Sequence, residues 1–373
     1  MPSINVYESP TVSDGGVNIA SKLFPWQRIS RVLSGQIFGD GVSGSATVSS
    51  DPNTRLAVTG TITETHVHGT TGSFSAGDLV MIHQSRGTGV GQWEINKIVS
   101  DNGDGTYTLT NALTYTYVTY AQMIKIPRYT TATISAHSPT AWNGSIGGIE
   151  IICANTSATV SGALSANALG YRGGVAGLDS GDFGTTGGES GAGYPGTVAT
   201  GAGLGVGSNG SAGGYGTDGG DWDANQGGHA HGSADLIEID FGGGGTGSCA
   251  NPEANAGAGG ASGGVLILIS KSITLSAGLT SNGGDGVYGV DRGGAGGSGG
   301  AILLICNIAS IGTYITATGG EPALASNPAH GGVGRIAIHH SGTITGTSSP
   351  TYKDILDNSL VESLSGGGIF MSY

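Results

Sequence analysis

Gly263-Gly264-Val265-Leu266-Ile267-Leu268-Ile269 decides the fold, because the chain says the same thing three more times. Gly147-Gly148-Ile149-Glu150-Ile151-Ile152-Cys153, Gly299-Gly300-Ala301-Ile302-Leu303-Leu304-Ile305-Cys306 and Gly331-Gly332-Val333-Gly334-Arg335-Ile336-Ala337-Ile338 share its form. Each is a glycine pair and an aliphatic strand. A short bend and a second strand ending in small residues follow, as in Ile273-Thr274-Leu275-Ser276-Ala277-Gly278-Leu279-Thr280. The strands are five or six residues of Val, Ile and Leu, too short and too β-branched for helices. Val265 to Ile269 is apolar at every position, which predicts cover on both faces. One such unit cannot bury its apolar face alone, so neighbours must stack. The expected fold is all-β: a parallel β-helix or solenoid-like stack, or a related sandwich.

Composition agrees. Glycine supplies 75 of 373 residues, and charged residues are only 10%. That is about three times the usual glycine share, and it argues against a helical protein. With a net charge of −13 and only 13 Lys and Arg, nucleic-acid binding is not expected. No apolar run approaches the roughly 20 residues of a spanning helix, so no membrane insertion is expected.

Taken in order, residues 1–55 show no repeat. Phe24 to Leu33 gathers aromatic, apolar and basic residues, and two readings stand: a cap on the stack, or a partner-docking segment anchored by Trp26, Arg28 and Arg31. Residues 56–126 read as an N-terminal antiparallel β-module. There Asp101-Asn102-Gly103-Asp104-Gly105 is a hairpin turn rather than a calcium loop, lacking the twelve-residue spacing. Residues 127–347 are the expected stack, interrupted by a glycine-rich insertion at 170–262. Residues 348–373 are a closing cap, with a short amphipathic helix expected across Tyr352–Leu364.

Ordering a long insertion costs about 1–2 kcal/mol per residue, and glycine spacing suggests what offsets it. Gly207, Gly210, Gly213, Gly216 and Gly219 recur every third residue, as do Gly283, Gly286 and Gly289. Three residues per turn is the polyproline II period, and a glycine each turn leaves one side of the helix bare for close backbone approach. Leu236-Ile237-Glu238-Ile239 reads as a further strand inside the insertion.

The Gly-Gly-strand units, the glycine-rich insertion and the closing Gly-Gly-Val-Gly-Arg-Ile-Ala-Ile resemble glycine-rich β-solenoid proteins of phages and bacterial surfaces. The three-residue glycine period is similar to the polyglycine II tips of some tail-fibre adhesins. The likeness covers residues 75–350 and is strongest at 263–346. It implies a virion or extracellular structural component, a tail fibre, spike or head fibre. It also implies a homo-oligomer, commonly a trimer, whose exposed loops touch a host surface glycan, a receptor or a neighbouring subunit. Contact with other virion proteins would run through the N-terminal segment. Met1-Pro2-Ser3-Ile4-Asn5 has no charged leader or apolar core, so release with a virus particle is the simplest route out of a cell. A subunit of a bacterial extracellular filament or sheath is an alternative.

Tyr194, Tyr215, Trp222 and Tyr288 are the candidates for stacking on sugar rings or packing a partner. Catalysis is not expected, and no motif calls for a cofactor. A polysaccharide depolymerase would use Asp221 and Asp223, two carboxyls beside Trp222 at a separation compatible with glycoside cleavage. Two His-x-His pairs, His66 with His68 and His229 with His231, are half-sites for a metal, with Glu64 the best extra ligand. His339 and His340 point to opposite faces. Cys153 and Cys306 sit in strands at different registers and read as buried thiols; Cys249, in a loop, is the one placed to pair between subunits.

Overall fold

The computed structural model describes residues 24–62, 64–69, 74–176, 211–221, 227–248, 256–290, 292–323 and 329–361. In chain order these form α1 (Gln27–Val32), β1 (Ala46–Val48), β2 (Arg55–Ala57), β3 (His66–His68), β4 (Leu79–Gln84), β5 (Trp93–Asp101), β6 (Thr106–Leu109), β7 (Ala121–Ile126), β8 (Arg128–Ile134), β9 (Ile149–Val160), β10 (Leu164–Ser165), β11 (Val265–Leu275), β12 (Leu279–Thr280), β13 (Ala301–Thr316), β14 (Arg335–His340), β15 (Ile344–Ser349) and β16 (Lys353–Leu356). Among the described residues the fold is all-β apart from α1 and one 3₁₀ turn, with a curled ten-stranded sheet and a six-stranded antiparallel one.

The quoted stretch begins β11, at the middle of the curled sheet. Val265 lies level with Ile149 on one side and Ala301 on the other, and Ala301 with Arg335, all in parallel register. Alternate residues then serve two cores. Ile149, Ile151, Cys153, Val265, Ile267, Ile269, Leu303 and Ile305 face a cluster that also holds Trp26, just before α1, and Met81, Trp93 and Ile124 from the antiparallel sheet. Ile152, Leu266, Leu268, Ile302, Leu304, Cys306 and Ile338 face the inside of the curl, against Ile273, Ile311 and Ile315 from the strands beyond the bend. The two-sided cover explains the unbroken aliphatic run. It also separates Cys153 from Cys306 onto opposite faces, both buried as free thiols.

The six antiparallel strands run in the order β2-β7-β4-β5-β6-β3. A bridge between Val58 and Gly69, with the Thr59 amide donating to the His68 carbonyl at 2.9 Å, links the two ends of that order. The sheet thus nearly closes on its own core of Val67, Val80, Ile82, Tyr107 and Met123, which leaves little free edge.

Three expectations need correction. Parallel pairing extends past 127–347, since β1 pairs β8 and β16 pairs β14; three- and four-residue edge strands are too short to read from periodicity. The closing segment is not a helix across 352–364: Lys353–Leu356 is a strand followed by the turn Asn358–Leu360. The unpaired edge of β14 outweighs the weak helical propensity there. Leu236 to Ile239 is a turn, not a strand. Leu236 has φ +55°, and Leu236 and Ile239 drop separately into the core.

The glycine-rich segments continue the strands. Gly263-Gly264 leads into β11, Gly299-Gly300 into β13 and Val333-Gly334 into β14, and their backbones bond to one another on a cycle of three. The amides of Gly294, Gly297 and Gly300 donate to the carbonyls of Val287, Gly284 and Ser281, at 3.0, 2.9 and 2.8 Å. Those of Ala295 and Ser298 reach Thr246 and Gly243, both at 3.0 Å, and those of Gly296 and Gly299 reach Ala329 and Gly332, at 3.2 and 2.9 Å. The neighbouring arm follows the same rule, with Gly259 and Ser262 bonding Gly174 and Tyr171, and Gly260 and Gly263 bonding Ala295 and Ser298. Successive residues therefore address three different neighbours, where a pleated strand addresses two. Side chains are excluded from these contacts. A Cβ on Gly297 would strike the carbonyl of Ala261, and one on Gly260 the carbonyl of Gly284.

Candidate functional site

The arms define two ends of the glycine body, one of which fuses to the strands. At the far end Gly219 donates to Gly228, Ser248 to Gly257 and Gly294 to Val287, each bond joining two arms. Cross-bonds place these contacts level with one another. Ala295 donates to Thr246 and Thr246 to Ser211, while Ala212 donates to Gly220 and Gly220 to His330.

One described turn projects as a prong. Val287, Tyr288 and Val290 are 57%, 56% and 67% exposed. The prong is braced by the Gly289 amide donating to the Arg292 carbonyl at 2.8 Å and by a bridge between Tyr288 and Gly293. The Tyr288 hydroxyl donates to the Val290 carbonyl at 3.1 Å, so the ring is held outward by its own hairpin. Val175 adds another exposed apolar side chain beside Gly174, which bonds Gly245 in the adjacent arm. Acidic groups stand nearby. Glu321 pairs with His330 at 2.7 Å, its amide donating to Asp285, and Asp218 lies 3.9 Å from His229.

Of the sequence-predicted binding residues, Tyr288 stands on this prong. Tyr215 does not: it is fully buried, Arg335 lies over its ring at 5.4 Å, and the Asp240 amide donates to its hydroxyl at 3.3 Å. Its ring braces the arms and offers no face to a sugar. Burial pushes its hydroxyl above the usual range. Tyr194, Trp222, Asp223 and Cys249 lie outside the described residues. Asp221 is exposed and accepts the Gly227 amide at 2.7 Å. Val287, Val290 and Val175 were not foreseen; the only available signal was Val287-Tyr288-Gly289-Val290 standing where the glycine period runs out.

The docking trio divides. Trp26 is fully buried, stacked on Phe24 at 4.7 Å, edge-on to His339 at 4.2 Å, and donating to Asp357 at 3.3 Å. Arg28 is tied to Glu94 at 2.7 Å. Both are spent inside the fold, which corrects their reading as partner anchors; Arg31 alone is exposed.

The histidine pairs also separate. His66 and His68 are both exposed on β3, either side of buried Val67. His229 is exposed, whereas His231 turns inward with Nε2 3.4 Å from Asp240. Burial disfavours the His231 cation, but the Asp240 carboxylate outweighs it, so its pKa is raised. These two imidazoles therefore do not share a face. His339 and His340 also part: His339 joins the Trp26 cluster, and His340 meets Asp354 at 2.5 Å. Among the described residues no three His, Cys, Asp or Glu side chains converge on one point, and no helix is long and apolar enough to cross a membrane.

No family model and no curated protein matches the chain. Two solved structures are similar in part. The tailspike gp61 of Pseudomonas phage phi297 aligns at 9% identity and a TM-score of 0.19, over 82% of this chain and 60% of that one. The tailspike gp49 of Pseudomonas phage LKA1 aligns at 10% identity and a TM-score of 0.17, over 83% of this chain and 68% of that one. The chain spans 60% of the length of the first. Likeness at this level says nothing of what this chain does.

Proposed function

We propose that the chain is a structural and adhesive virion component, a phage tail fibre, spike or head fibre that holds surface-binding loops on a rigid body. In this reading the parallel strands are a β-solenoid-like stack and the glycine arms a polyglycine II-like sandwich. The supporting observation is the three-residue cycle of backbone bonds. It joins arms and strands into one object, with the Val287-Tyr288-Val290 prong at the end away from the strands. The resemblance of the Gly-Gly-strand units to phage and surface proteins supports the virion assignment. The chain is proposed to act as a homo-oligomer, most simply a trimer, joined to other virion proteins through its N-terminal segment.

The test is binding to host cells by the purified chain. Tyr288→Ala combined with Val290→Ser, both exposed, should lower binding at least tenfold while leaving the unfolding midpoint in place. Undiminished binding would overturn the role of the prong. Gold-labelled antibody that fails to mark virus particles from the source would overturn the virion reading. New reducing ends released from host polysaccharide would replace adhesion by depolymerisation at Asp221 and Asp223.

A further inference from the structure

We propose that His66 and His68 form a two-imidazole site for a borderline divalent transition ion, Zn2+, Co2+, Ni2+ or Cu2+, on the outer wall of the antiparallel sheet. The strand that carries them cannot rotate. Val67, between them, is fully buried in the core of that sheet. β3 is held on one side by pairing with β6 and on the other by the Thr59 amide, which donates to the His68 carbonyl. Residues two apart on a strand lie on one face, their Cα atoms about 7 Å apart. Both imidazoles can then reach a common ion at about 2.0–2.1 Å from nitrogen.

The second observation concerns the tautomer. An imidazole ligates through a nitrogen that carries no hydrogen, and its other nitrogen usually donates to an oxygen that orients the ring. His68 Nδ1 lies 3.2 Å from the Thr106 hydroxyl. That hydroxyl also hydrogen-bonds the Asp104 carboxylate, while the Thr106 amide donates to Asp104 at 2.9 Å. An ionised carboxylate only accepts, so Thr106 gives its hydrogen to Asp104. The hydroxyl oxygen must then accept from His68 Nδ1–H. The relay Asp104–Thr106–His68 leaves Nε2 as a bare lone pair. His66 Nδ1 has a hydroxyl partner too, Thr65 at 3.3 Å. Among the described residues neither Nε2 meets a partner.

Two imidazoles suit ions of intermediate softness and not calcium or magnesium, which take oxygen. Since no third His, Cys, Asp or Glu joins them among the described residues, the remaining coordination positions fall to water or to an incoming group. The site is independent of the adhesive reading and of the far-end prong.

The test uses the full chain without an affinity tag. Calorimetric titration with ZnCl2 should show saturable binding at the pair, weakened at least tenfold by His66→Ala and by His68→Ala; both side chains are exposed, so both variants should fold. Thr106→Val should weaken binding about 10–100-fold, the usual effect of losing an orienting partner. Nitrogen-15 spectra of metal-free protein should show His68 protonated at Nδ1, a readout that a chance surface pair would not predict. Binding that survives both histidine variants, binding indifferent to Thr106→Val, or a His68 proton found on Nε2 would each overturn the proposal.

Discussion

Gly297→Ala isolates the contact on which the glycine body depends. The residue lies outside the left-handed region, so the added methyl brings no backbone strain; its whole effect is steric. The new Cβ would overlap the carbonyl of Ala261 and come within 2.7 Å of the Gly260 oxygen. Relief requires two arms to part, and two backbone bonds cross that seam. Gly260 donates to Ala295 and Gly263 to Ser298, both at 2.9 Å. A buried backbone group left unpaired costs about 1–3 kcal/mol. Losing both bonds therefore costs about 2–6 kcal/mol. Alanine recovers only about 0.5–1 kcal/mol by restricting the unfolded chain. If the chain melts as one unit, unfolding entropy for this length converts the net loss of about 1–5.5 kcal/mol to a fall in Tm of roughly 1–7 °C. Gly278→Ala is the control, because its Cβ meets only the Thr280 methyl, at 3.3 Å. Thermal unfolding followed by far-ultraviolet circular dichroism reads both. Equal midpoints for the two variants would refute the close-packed account of the arms.

The remaining predictions concern titratable groups. His83 is fully buried, its Nε2 donating to the Ile239 carbonyl at 2.9 Å, and burial pushes its pKa down to about 4. The unfolded chain then binds a proton that the folded chain refuses, so this contribution is intact above pH 6.5 and is lost on acidification. The loss is about 2 kcal/mol by pH 5 and about 3 kcal/mol by pH 4; urea unfolding at pH 7 and 5 measures it, and His83→Gln should flatten the difference. His231 behaves oppositely, its pKa raised by Asp240 against burial. Its stabilisation is full below pH 6.5 and fades as pH rises through the raised value, and Asp240→Asn should remove that alkaline decline in Tm. Burial pushes the thiols of Cys153 and Cys306 up to about 12. Iodoacetamide at pH 8 should leave both unmodified in the native chain and label both in denaturant, as peptide mass mapping would show.

Much of this arrangement is legible in the sequence, in proportion to how local its cause is. The run Val265 to Ile269 announces cover on both faces, because a strand with one wet face alternates. The glycine period at 283, 286 and 289 announces a three-residue cycle, although not which arms bond. What stays hidden depends on partners distant in sequence. Trp26 reads as an interface anchor until Trp93, His339 and Asp357 close around it. Tyr215 reads as a sugar platform until Arg335, from β14, and Asp240, in the arm that follows, close around it. Leu236 to Ile239 has the composition of a strand, but among the described residues it pairs with none, and its two apolar side chains find separate places in the core instead.

The join between strand and arm sets the register of both. In the strands a shift of one residue exchanges the two cores, so only even shifts keep Ile267 and Leu268 on their proper sides. In the arms the bonding cycle returns every third residue, so only shifts of three keep glycines at the crowded contacts. Because β11 runs directly out of Gly263-Gly264 and β13 out of Gly299-Gly300, one displacement must satisfy both conditions. The smallest that does is six residues, which is the full length of the aliphatic half of a unit. Misaligned stacks are thereby excluded without a charged or bulky device, in a chain with few charges to spend. The prong at Val287, Tyr288 and Val290 lies beyond both constraints. Substitution of those three side chains leaves the register of the strands untouched.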